Sequence, residues 1–277
     1  MDLFIDPDDQ EATRLYACYT KQINGNDTVT AVFTAILEGQ NLTQLRPVYQ
    51  SHPAIDSGNH FGCRMVKKDH ALYLTIGDRH ARDLAQDWQK AVGAIIKIDL
   101  PKHYQQLDQH QFTSKIFTKG HRNPQGITLL QRNGEIWSVE HGPKGGDELN
   151  LIEAGKNYGW PIVSHGREYI GFKIGIGHSA PGYVDPIWVW TPSIAPSSLR
   201  YYDQSMFPAL KHSFLVSALA GKALHVLKLD PHNRPISETK ILQSKIGRIR
   251  DLLVHPDGSI FLINDEIKAG GLYRYYQ

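Results

Sequence analysis

The feature that most constrains the fold is a strand-turn-strand unit that recurs along the chain. In each copy apolar residues lead into a polar turn, and a β-branched or aromatic strand follows and ends on an acidic residue. Residues 64–78 form one copy with its turn at Asp69-His70, residues 127–140 a second turning at Asn133-Gly134, and residues 252–265 a third turning at Asp257-Gly258. The turns at 69, 133 and 257 lie 64 and 124 positions apart, so the second interval is close to twice the first. That spacing predicts a further unit near residue 195, and residues 197–202 with 212–218 supply it. An earlier copy spans 15–37, turning at Asn24-Gly25-Asn26-Asp27.

Helix signals are scarce, and residues 83–92 are the best candidate. Repeats of this length, built from short antiparallel strands, predict an all-β chain with a β-propeller fold, about five blade units being visible in a single domain over 1–277. A sandwich or an irregular barrel is the alternative. The formal charge of +2, from 30 basic and 28 acidic residues, comes with no basic stripe, which argues against a nucleic-acid partner. No apolar run is long enough for a membrane span, and Met1 is followed at once by Asp2 and not by a signal sequence. Cys18 and Cys63 are too few for a disulfide framework and lack thiolate metal spacing, which leaves a single bridge open.

Residues 120–160 hold two charged, turn-rich loops around one hairpin, the setting in which a rigid scaffold displays ligand-binding groups. The stretch reads Gly-His-Arg-Asn-Pro-Gln-Gly from 120, Glu-His-Gly-Pro-Lys-Gly-Gly-Asp-Glu-Leu-Asn from 140, and Asn-Tyr-Gly-Trp-Pro from 157. With Ser57-Gly58-Asn59-His60-Phe61-Gly62, Ile194-Ala195-Pro196-Ser197-Ser198 and Arg248-Ile249-Arg250-Asp251, it resembles the soluble PQQ-dependent sugar dehydrogenases, in particular the aldose sugar dehydrogenase branch of the glucose/sorbosone dehydrogenase family.

The resemblance implies a six-bladed propeller holding PQQ and Ca²⁺, which oxidises aldoses at C1 to the lactone. His60 then matches the general base, a task that suits an imidazole because its unperturbed pKa lies near working pH. Asp78 matches the acid that orients it. Arg122 and Asn123 match PQQ-contacting positions, Arg122 also lying where charge develops. Arg248 and Arg250 sit two apart on an expected strand, hence on one face, and match groups that hold PQQ carboxylates. Gly142, Pro143, Glu148 and Tyr158 match the calcium environment, since Ca²⁺ takes hard oxygens from carboxylates and backbone carbonyls. Asp147 reads as a solvated loop acid.

The chain departs from the family pattern at Ala220, where a cofactor-binding Lys is usual, and Lys222 is the nearest substitute. Ser164 and Tyr169 are candidates for lining the sugar cleft. Family members also carry a signal peptide and a first blade ahead of the segment resembling 3–19, so the first blade is expected to be missing or incomplete. The resemblance further implies a periplasmic location, an external electron acceptor, and a monomer or homodimer. A calcium-dependent lactonase and a non-catalytic binding platform are the competing functions.

Overall fold

A computed structural model of the chain describes residues 1–104, 107 and 110–277. Its strands form antiparallel sheets in which neighbours in sequence are neighbours in space, and they divide between two compact units. One unit comprises Met1–Pro124 with Glu153–Pro161, the other Gln125–Ile152 with Ile162–Gln277.

The first unit holds two sheets. One runs β1 (Asp2–Ile5), β2 (Arg14–Asn24), β3 (Asp27–Glu38) and β4 (Asn41–Gln50), with the short β5 (Ile55–Asp56) also pairing with β3. The other runs β6 (Met65–Lys68), β7 (Ala71–Ile76), β8 (Ala94–Asp99) and β9 (Ser114–Lys119). The apolar core between them gathers Tyr16, Cys18 and Val32 from the first sheet with Leu72, Leu74, Ile76, Ile96 and Ile98 from the second.

The second unit holds three sheets. They are β10 (Pro124–Leu130) to β13 (Trp188–Trp190) through β11 (Glu135–Glu140) and β12 (Asp147–Ile152); β14 (Pro196–Tyr202), β15 (Ser213–Ala218), β16 (Leu224–Leu229) and β17 (Pro235–Ile241); and the three-stranded β18 (Ile249–Val254), β19 (Ile260–Asn264) and β20 (Leu272–Tyr275). Trp137, Val139, Leu199, Phe214 and Leu227 fill one core, and Tyr202, Leu215, Val226, Leu252 and Leu262 fill the next. Every strand-turn-strand unit expected from the repeat is a hairpin: β2-β3, β6-β7, β10-β11, β14-β15 and β18-β19. In β7 and β15 all positions are buried, which is why they read as unbroken apolar runs, whereas β4 and β17 are largely exposed outer strands.

The helix expected over 83–92 does not form. Only a short 3₁₀ turn, Arg82–Gln86, is present. The carbonyls of Leu84, Lys90 and Val92 instead accept hydrogen bonds from the fully buried Lys119 Nζ at 3.0, 3.0 and 2.5 Å. A buried ammonium thus satisfies carbonyls that this irregular segment turns inward. Cys18 on β2 and Cys63, just ahead of β6, form a disulfide, which closes the question left open by the sequence.

Two predictions follow from these tethers. Replacing both cysteines by serine should lower the unfolding free energy by about 4 kcal/mol, the loop-closure value for the 45-residue separation, seen as a lower urea midpoint. The second concerns Lys119, whose pKa burial pushes down to about 8. An unfolded lysine titrates near 10.4, so between those values the unfolded chain binds more protons and stability rises with pH. The rise should reach up to about 3 kcal/mol and be absent in Lys119→Met, as read from denaturant titrations between pH 7.5 and 10.

Candidate active site

The first unit converges on one carboxylate. Asp78 follows β7 in a turn fixed by its own N–H donating to Arg122 O at 2.7 Å. Its side chain is only 2% exposed, and both oxygens are used. Oδ1 accepts from His60 Nδ1 at 2.6 Å and from the His80 N–H at 2.9 Å, and Oδ2 accepts from Trp160 Nε1 at 2.7 Å. Burial works against the charged form of Asp78. The His60 imidazole, the His80 amide and the Arg122 guanidinium outweigh it and hold the carboxyl below its usual range.

An ionised Asp78 accepts from a protonated His60 Nδ1, so in the neutral imidazole Nε2 is the nitrogen that carries the lone pair. The His60 side chain is 15% exposed, so the ring is reachable while its acid partner is not. His80 stands edge-on to it, ring centroids 4.3 Å apart. Burial and the neighbouring His60 push the His80 pKa down. Arg122 is buried with its guanidinium 5.4 Å from the centre of the Trp160 ring, and Arg82 lies at the same distance from that ring. Asn123, also buried, follows in the same loop.

The loop carrying His60 lies flat against the end of β7. A Cβ on Gly77 would overlap the His60 carbonyl oxygen and come within 2.7 Å of its carbon and 3.1 Å of Asn123 Oδ1. His60 itself adopts φ +53°, and Cys63, Arg79 and His80 also occupy the left-handed region. Non-glycine residues so placed cost of order 1 kcal/mol each and need a surrounding structure that enforces them.

In the second unit, Gly142 and Pro143 open a tight turn before β12. Asp147 is fully buried there, not solvated as its sequence setting suggested. Its Oδ1 accepts from Gly142 N–H at 2.9 Å, and its Oδ2 accepts from Ser193 Oγ, Ile194 N–H and Ala195 N–H at 2.6, 2.7 and 2.8 Å. It ties the Gly142 turn to the segment entering β14. Glu148 stands opposite Glu140 in the β11-β12 register, and Asn150 Nδ2 donates to both, at 3.2 and 3.1 Å. Burial and the Glu140 charge push the Glu148 carboxyl well above the usual carboxylate range.

The remaining predicted residues are placed as follows. Tyr158 belongs to the first unit, where its ring stacks on His121 at 4.6 Å and its hydroxyl accepts from Glu153 N–H at 2.9 Å. Arg248 and Arg250 both pair with Asp265, at 2.8 and 2.5 Å, with 41% of each side chain exposed. The anion between them is therefore supplied by the chain itself. Lys222 is exposed in the turn between β15 and β16, with φ +46°. Ser164 is buried and Tyr169 is 71% exposed.

The donor chemistry fits both groups implied by the sequence. Two carboxylates forced together beside a turn rich in backbone carbonyls offer hard oxygens of the kind a divalent cation takes. Among the described residues, no group of three or more His, Cys, Asp or Glu side chains gathers into a metal cluster, so backbone oxygens would be needed. Within the first unit the buried Arg122, and within the second the half-exposed Arg248-Arg250 pair already matched by Asp265, are guanidinium donors of the kind an acidic planar cofactor takes.

Antiparallel meander sheets thus display an aspartate-held imidazole next to a buried arginine, a general-base arrangement. The chain belongs to the Glucose / Sorbosone dehydrogenase family, whose model matches residues 1–274. It is 30% identical over 275 residues to the aldose sugar dehydrogenase YliI of Escherichia coli strain K12, covering 96% of this chain and 74% of that protein. A crystal structure of a glucose dehydrogenase superposes with a TM-score of 0.91 at 32% identity, covering 100% of this chain and 82% of the other. The PQQ-bound aldose sugar dehydrogenase of Streptomyces coelicolor shares the fold with a TM-score of 0.74 at 22% identity, over 98% and 78% of the two chains. Membership makes this chain an oxidoreductase that acts on sugars.

Gly77→Ala tests the local packing. The added methyl should displace His60 from Asp78 and lower turnover by about 10²-fold, the penalty for ångström-scale misplacement, and, because the atoms it meets are backbone, lower the urea midpoint as well. Wild-type turnover in that variant would show that the loop yields without consequence.

Proposed function

We propose that the chain is a PQQ- and Ca²⁺-dependent aldose dehydrogenase that oxidises the sugar C1 hydroxyl to the lactone. The observation that carries this reading is the His60 Nδ1 to Asp78 Oδ1 bond of 2.6 Å, which leaves Nε2 as a base at an accessible position. His60 Nε2 takes the proton of the C1 hydroxyl, and the buried Asp78 stabilises the resulting imidazolium without itself being protonated. Arg122, held over Trp160, stabilises negative charge that develops beside it. PQQ, when bound, accepts the hydride that leaves C1.

In the first unit Arg122 and Asn123, and in the second Arg248, Arg250 and Lys222, are each candidates for contacts to that cofactor. Gly142, Pro143 and Glu148 of the second unit are candidate calcium ligands, and Tyr158 of the first is a separate candidate. The PQQ-bound Streptomyces coelicolor relative supports the cofactor assignment through shared fold. The five blade-like sheets and the family match support the six-bladed propeller type, read as a single domain. The Cys18–Cys63 disulfide favours an oxidising compartment such as the periplasm, and among the described residues no helix is long and apolar enough to cross a membrane. Electrons would leave through an external acceptor, and the chain would act as a monomer or homodimer.

Adding PQQ and Ca²⁺ to the purified chain should produce glucose-dependent bleaching of a redox dye. His60→Ala should retain PQQ binding and lose about 10² to 10⁴ in turnover. Hydrolysis of gluconolactone without PQQ, in place of dye reduction, would overturn the proposal in favour of a lactonase; the absence of both activities would favour a binding platform.

A further inference from the structure

We infer that Arg79 is a positioning residue that holds the His60 imidazole in register with Asp78. The inference rests on the proposed reading of His60 as the base. Arg79 is 2% exposed and directly follows Asp78 in the chain. Its side chain turns back onto the His60 loop, bonding the carbonyls just ahead of that residue and packing on the ring just after it. Nε donates to Asn59 O at 3.1 Å, and Nη2 donates to Ser57 O. Nη1 donates to Thr28 O at 3.3 Å and Nη2 to Thr28 Oγ1 at 2.7 Å, which anchors the assembly to β3. The guanidinium carbon lies 3.8 Å from the centre of the Phe61 ring.

One side chain therefore spans the turn bearing the acid and the loop bearing the base. The need for it is visible in the backbone. Residues 57–61 lie outside any ladder; besides Arg79, they are held by Ser57 N–H to Ile55 O at 3.0 Å, Asn59 N–H to Ser57 Oγ at 3.3 Å, and the β3 hydroxyls of Thr28 to Ser57 O at 3.5 Å and Thr30 to Phe61 O at 3.3 Å. A planar fork with five donors can satisfy several divergent acceptors at once, which neither an ammonium nor an apolar side chain can do. These acceptors are neutral carbonyls and a hydroxyl, so the buried charge is compensated by dipoles and an aromatic face. Burial pushes the Arg79 pKa down to about 10, and the group stays cationic through the neutral range. Simple filling of the interior would be served as well by methionine, without the desolvation penalty. The residue's distinguishing property is the geometry it imposes on residues 57–61.

The test uses the full chain without PQQ, comparing wild type, Arg79→Met and Arg79→Lys. The readout is the ¹⁵N-edited proton resonance of His60 Nδ1–H, shifted downfield by its short bond to Asp78 and assigned by its disappearance in His60→Ala. Arg79→Met should lose this resonance or broaden it by solvent exchange, while the urea midpoint stays close to wild type. In the PQQ-loaded protein, kcat should fall about 10²-fold with unchanged PQQ affinity. Arg79→Lys, which keeps the charge and loses the fork, should show the same loss in weaker form and serves as the test variant if Arg79→Met fails to fold. A His60 resonance of wild-type sharpness in a folded Arg79 variant overturns the inference. Failure of wild-type protein to oxidise sugars would overturn the functional proposal and leave the resonance experiment standing, so the two failures are separable.

Discussion

The buried carboxylate of Asp78 is the interaction on which the first unit's site depends. It joins the His60 loop, the turn after β7 and the Trp160 segment, which are far apart in sequence, through three hydrogen bonds between 2.6 and 2.9 Å. Bonds to an ionised acceptor are roughly twice as strong as neutral ones, and the low dielectric around a buried group strengthens them further. That strength offsets the left-handed backbone at His60, Arg79 and His80.

Buried cations perform the complementary task for irregular backbone. Lys119 caps three carbonyls of the 82–92 segment, and Arg79 caps the Ser57 and Asn59 carbonyls just ahead of His60. Both segments carry groups that neither a helix nor a sheet satisfies, and every buried carbonyl needs a donor. Using one long cationic side chain for several acceptors lets a loop stay irregular yet fixed. Such loops can hold the angles a reacting group needs, which regular ladders would not permit.

The sequence made the hairpins legible because their signals are local: alternation or apolar runs, with a polar turn at fixed spacing. His60 and Asp78 were legible through their surrounding motifs, and the fold brings the two side chains into contact. The helix over 83–92 was misread because its apolar positions have helical spacing, while the competing donor, Lys119, lies about thirty positions downstream. Trp160 stood in a quoted motif, but its bond to Asp78 spans 82 positions and leaves no sequence periodicity to follow. Asp147 was taken for a solvated acid for the same reason, its partners at 193–195 being invisible until the fold brings them together. Arg79 was passed over because a charged residue in a turn ordinarily faces water.

The two carboxylate environments are opposed in a way that bears on how the units would divide the chemistry. Asp78 is surrounded by donors and kept below the usual carboxylate range, which suits a group that must remain an anion while the imidazole beside it gains a proton. Glu148 is pushed up by burial and by the Glu140 charge it faces, so its charged form is costly. A cation bound there would relieve the repulsion with Glu140, and because ion and proton compete for the same carboxylates, its affinity would weaken as pH falls. On the proposed reading, the first unit keeps a negative charge to orient a base, whereas the second crowds two carboxylates that a divalent cation would neutralise.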